Sequence, residues 1–124
     1  MESKTYFQPS DAKTTGRVSV QTNKGRAYFS TGQTIRLEAS SNYTKIYFAD
    51  HFSLLTAKVL KDFEPLLMPL GFVRTHRSHM VNKQHIARVC SNGALVMKDY
   101  AVVEISKRRK FAVLQALQLS GVRA

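Results

Sequence analysis

The stretch TIRLEA, residues 34–39, alternates apolar Ile35, Leu37 and Ala39 with charged Arg36 and Glu38. Successive side chains of an extended chain point to opposite faces, so this spacing specifies a half-buried strand. The same texture recurs along the chain. RVSVQT (17–22) sets Val18 and Val20 between polar neighbours, and AYFS (27–30) follows a turn at Gly25. YTKIYFA (43–49) is rich in aromatic and β-branched residues, and Asp50 and His51 turn it into FSLLTA (52–57). FVRTHR (72–77) is short and extended, and VNKQHIARVCS (81–91) offers Ile86 and Val89 for burial. ALVMK (94–98) and AVVEIS (101–106) join at Asp99 and Tyr100. Asn92-Gly93 predicts a tight hairpin in which both turn positions take positive φ. The expectation is a mainly β fold of short antiparallel strands.

Two segments change period. In KVLKDFEPLL (58–67), Leu60, Phe63 and Leu67 recur at helical spacing, with Lys61, Asp62 and Glu64 off that face. This predicts one short internal helix, which Pro65 should weaken or end. KRRKFAVLQALQLSG (107–121) predicts a C-terminal helix with Phe111, Leu114 and Leu117 on one face. Ser106 is its expected cap and Gly121 its expected stop. Residues 1–16 are polar and without period, a flexible lead-in, and 17–124 read as one domain.

Charge narrows the function. The 124 residues carry 19 Lys and Arg against 8 Asp and Glu, a net +11. The excess is uneven: +3 over residues 1–34, zero over 35–69 and +8 over 70–124. A basic excess concentrated in one segment is an electrostatic footprint for a polyanion, and nucleic acid leads among polyanions. No run approaches the ~20 apolar residues of a membrane span. The N-terminus lacks the apolar segment of a secretory signal, and Cys90 is the single cysteine, so no internal disulfide is available. A cytoplasmic protein without membrane association is expected.

Catalytic and metal chemistry find little support. His76, His79 and His85 are close in sequence, but Arg74, Arg77 and Lys83 surround them and oppose a cation. Ser78 lies beside two histidines without a nucleophile elbow, and Cys90 reads as a small core residue. No glycine-rich phosphate loop is present. The expectation is no enzyme, no metal, no cofactor and no small-molecule substrate. By contrast, three polar clusters fall at element ends, where phosphate and base contacts need Lys, Arg, Ser, Thr and Asn. They are SSNYTK (40–45), RTHRSHMVNK (74–83) and SKRRK (106–110).

The order of these pieces resembles the LytTR-type DNA-binding domain, from about Ile35 to Leu117. Its most specific part is F-x-R-x-H-R-S-x-x-V-N-x-x-x-I, met by Phe72, Arg74, His76, Arg77, Ser78, Val81, Asn82 and Ile86. Glu38, Ala39, Asn42 and Tyr43 match a second marker, and Ile105, Ser106 and Arg108 a third. The resemblance implies stacked antiparallel sheets and a bacterial transcription regulator, often a response regulator, whose inter-strand loops enter DNA grooves. Members commonly carry a receiver or membrane domain in front. The 34 residues before Ile35 are too few for a receiver, so a stand-alone regulator or a piece of a longer chain is expected.

Carried over by position, the resemblance puts DNA-base contacts at Tyr43, Arg77 and Arg108. Arg77 would read a base edge, guanine O6 and N7, and Arg108 would do the same or clamp phosphate. Asn42, Thr44, Lys45, Arg74, Ser78, His79, Lys83, Lys107 and Arg109 are the expected backbone contacts. His76 and Asn82, flanked by apolar anchors, are expected structural braces. Double-stranded DNA is the expected partner, with paired repeat sites that a homodimer would occupy. The competing reading is an RNA-binding or ribosome-associated basic protein, stacking Tyr43, Tyr47 or Tyr100 on unpaired bases. A third is a protein-interaction module, whose binding would ignore salt.

Overall fold

The computed structural model describes residues 16–119. β1 (Arg17–Thr22) and β2 (Gly25–Ser30) form a two-stranded hairpin. A 3-10 turn at Thr31–Gln33 leads into β3 (Thr34–Ser40), β4 (Tyr43–Phe48) and β5 (Ser53–Thr56). β6 (Phe72–His76) and β7 (His79–Asn82) join these in a five-stranded antiparallel sheet of order β5-β4-β3-β7-β6. β8 (Ile86–Val89), β9 (Leu95–Met97) and β10 (Val102–Val103) make a three-stranded antiparallel sheet.

The five-stranded sheet is the middle layer, with a core on each face. On one face Leu37, Ile46, Phe72 and Met80 pack with Val20 and Phe29 of the first hairpin and with Leu60, Phe63 and Leu67. On the other, Ile35, Val73 and Val81 pack with Leu95, Met97, Val103, Val113 and Leu117. Strict alternation would put Ile35 and Leu37 on the same face. The register of β3 against β4 slips between Thr34 and Arg36, and this bulge turns Ile35 into the second core. The strand that reads as half-buried is therefore covered on both faces at its start. Arg36 also ties the layers, reaching Asp99 in the β9–β10 turn at 3.2 Å.

Both helices form, with three departures from the sequence expectation. Leu60, Phe63 and Leu67 are buried, as their spacing predicts. Pro65, however, does not end the helix. A 3-10 turn at Leu60–Phe63 passes into α1 (Glu64–Leu67), and Pro65 sits in its first turn, where a missing N–H has no helical partner to lose. At the C-terminus a 3-10 turn, Lys107–Arg109, runs into α2 (Lys110–Leu119). Its inward face is Val113 and Leu117, four residues apart, and Phe111 is 76% exposed. Ser106 occupies the cap position, but its side chain makes no cap bond. Gly121 and all of the 1–16 lead-in except Gly16 lie outside the described residues.

The hairpin at Asn92-Gly93 also differs in detail. Only Gly93 takes positive φ, at 91°. The Asn92 side chain instead accepts the Ala94 N–H at 3.0 Å, closing an Asx turn.

Candidate nucleic-acid interface

Strand register brings three polar turns to one end of the middle sheet. Ser40 pairs with Tyr43, so β3 and β4 are joined by a two-residue turn at 41–42. His76 pairs with His79, so β6 and β7 turn at 77–78. β3 and β7 are neighbours, with Glu38 opposite His79, and the Ala39 N–H donates to the Ser78 carbonyl at 2.9 Å. Both turns thus lie side by side. The third segment joins them because the Ser106 N–H donates to the Thr75 carbonyl at 2.9 Å, setting residues 106–109 beside the end of β6. At this end Asn42, Tyr43, Arg77, Lys107 and Arg108 are exposed, and Ser78 and Arg109 are half-buried.

The β6–β7 turn is held from inside. Arg74 donates through Nη1 to Glu64 at 2.6 Å, through Nε to the His76 carbonyl at 2.9 Å and through Nη2 to the Arg77 carbonyl at 2.5 Å. The Ser78 N–H donates to His76 Nδ1 at 3.1 Å. The Arg77 side chain has no hydrogen bond or ion pair among the described residues. Its guanidinium stands free on a braced turn.

Residues 25–118 match the LytTR DNA-binding domain family. The chain belongs to this family. Among solved structures, the LytTR domain of a protein described as a methyl-accepting/DNA response regulator from Bacillus cereus superposes with a TM-score of 0.71 at 25% identity. The match covers 82% of this chain and 95% of that one. No curated protein sequence matches. LytTR membership carries DNA binding in transcription regulation.

Within this LytTR domain several expected contact residues lie elsewhere. Thr44 is fully buried, and its hydroxyl donates to the Lys58 carbonyl at 2.7 Å, so it has nothing to offer a phosphate. The three donor contacts of Arg74 are the β6–β7 turn's own brace and leave it turned inward. Lys45 is half-buried along β4, its ammonium 5.2 Å from the Tyr47 ring. Lys83 follows β7 at the far end of the sheet, its N–H bonded to the Gly71 carbonyl at 3.0 Å. Five residue steps of extended chain, roughly 17 Å, separate it from Ser78.

His79 flanks the turn. Burial lowers its pKa, reinforced by His76 and Arg36 and opposed by Glu38 and Glu104. Among the described residues its Nδ1 is buried without a partner, as is the Ser106 hydroxyl. Asn82 sits deeper, donating to the Thr31 carbonyl at 3.2 Å and the Thr34 carbonyl at 3.0 Å, and accepting the Gln84 N–H at 3.0 Å. It fastens β7 to the start of β3. Among the described residues, no three His, Cys, Asp or Glu side chains converge as a metal site, and no helix is long and apolar enough to cross a membrane.

Proposed function

We propose that this LytTR domain is a sequence-specific duplex-DNA-binding regulator that reads grooves through its inter-strand turns. The observation that carries the reading is the register that sets the 41–42 and 77–78 turns side by side with residues 106–109 alongside. The two turn centres are two strand spacings apart, about 10 Å. That fits the major groove, roughly 12 Å wide. Arg77 reads a base edge, Arg108 reads a base or clamps phosphate, and Tyr43 lies against the same groove. Asn42, Ser78, Lys107 and Arg109 hold the backbone and set register, with His79 at the flank. His76 orders the turn through Ser78, and Asn82 secures the strand behind it.

The RNA-binding alternative needs exposed stacking aromatics at this end. Tyr47 is occupied: Arg36 lies 3.7 Å over its ring and its hydroxyl bonds Glu38 at 3.1 Å. Tyr43 remains as the available stacker there.

Selection of bound sites from a random duplex pool tests the reading. A recovered consensus, bound with a steep salt dependence and in preference to its scrambled counterpart, is expected. Paired repeats within that consensus would support a homodimer on DNA. Tighter binding to single-stranded RNA with no duplex consensus would replace this reading with the RNA one.

A further inference from the structure

The first hairpin reaches the same end of the molecule. β1 stacks beside β5, and the Thr56 hydroxyl donates to the Gln21 carbonyl at 2.9 Å. Thr44 pairs with Thr56, so Tyr43 stands one step beyond, level with the tip of the hairpin. A groove between the hairpin and β5 is lined by Lys24, Arg26, Lys58, Tyr43 and Asn23 among others. Among the described residues no carboxylate lines it. Three cations with no acid between them create a field that favours an anion.

The hairpin tip is also tied by its own hydrogen bonds. The Thr22 hydroxyl donates to the Gly25 carbonyl at 2.7 Å and accepts the Lys24 N–H at 3.1 Å. Gly25 takes φ 117°, which a side chain would resist. Lys24 and Arg26 are exposed, and neither has an ion pair among the described residues. Arg26 is steadied by Ser19 at 2.8 Å. Lys24 and the whole of β1 precede the stretch matched to the family, which begins at residue 25.

We propose that the β1–β2 tip, through Lys24 and Arg26, is an additional phosphate clamp of the DNA interface, gripping backbone beyond the duplex held by the three turns. The proposal rests on the DNA-binding reading and extends its footprint past β5. It assigns the hairpin affinity without base readout, since neither side chain belongs to the turns that face the groove.

The test uses the full chain with Lys24→Gln and Arg26→Gln combined. Kd is measured against salt on the selected duplex and on its scramble. The expected slope of log Kd against log salt is shallower by about 1–2, with both duplexes weakened by the same factor, roughly 10-fold or more. Their ratio should stay constant. A second double variant, Arg88→Gln with Lys98→Gln, removes the same charge from the three-stranded sheet and should leave the slope closer to wild type. An unchanged slope in the hairpin variant, or equal changes in the two double variants, would overturn the clamp while wild-type binding still upheld the DNA reading. A wild-type chain with no salt-dependent duplex binding would remove the DNA reading itself.

Discussion

The Arg74 guanidinium donates to the backbone carbonyl of Arg77 at 2.5 Å, so one arginine holds the turn that presents another. Glu64 anchors the far side of Arg74 at 2.6 Å, and this ties the turn to the helix α1. A charged hydrogen bond of this kind contributes about 1.5–3 kcal/mol.

Arg74→Ala should therefore lower stability by about 1.5–3 kcal/mol and weaken binding to specific and scrambled duplexes alike. Arg74→Lys should recover little, because an ammonium cannot span Glu64 and two carbonyls as the planar fork does. Urea unfolding and duplex titration of both variants check this. Full recovery by lysine would contradict the bracing role.

Asn82→Ala would remove the buried amide that donates to both the Thr31 and Thr34 carbonyls. The expected loss is about 1–3 kcal/mol, read as a lower denaturant midpoint with little change in base preference. A shift in preferred sequence would place Asn82 at the DNA instead.

The two sides of α2 should respond differently. Leu117→Ala opens a cavity in the second core and should cost about 2–5 kcal/mol. Phe111→Ala, on the exposed side, should stay within about 0.5 kcal/mol. Thermal unfolding of the pair separates this helix face from the Phe111, Leu114, Leu117 face that the sequence suggests.

His79 makes stability depend on pH with a definite sign. Its folded pKa is lowered, chiefly by burial. The unfolded chain therefore takes up its proton first, near pH 6.5. The native state loses stability as pH falls through that value and stops losing it below the depressed folded pKa. Urea midpoints at pH 7.5 and 5.5 should fall less for His79→Gln than for wild type. Equal falls would assign the dependence to other histidines.

How much of this was legible depends on whether local pattern or register decides. Alternation located β1 to β5 closely, and the spacing of Leu60, Phe63 and Leu67 found the internal helix. Ile35 was not readable, because a bulge set by β4 reverses its face. Phe111 and Val113 compete for the inner face of α2, and only packing against the second core chooses Val113. In the interface, the family motif pointed to Arg77 and Arg108. Thr44 and Lys83 share polar clusters with such residues, but one points into the core and the other leaves β7 at the opposite end. Neither fact lies in local sequence. Conversely NKGR, residues 23–26, read only as a turn, because nothing local says where a hairpin tip will dock.

The central claim is that Arg77, free on its braced turn, reads a base. The most direct measurement is the ratio of Kd for the selected duplex to Kd for its scramble, with Arg77→Ala beside wild type. Loss of about 1–3 kcal/mol of discrimination, falling on the specific duplex, is predicted. Equal weakening on both duplexes would contradict it and leave Arg77 as a phosphate contact.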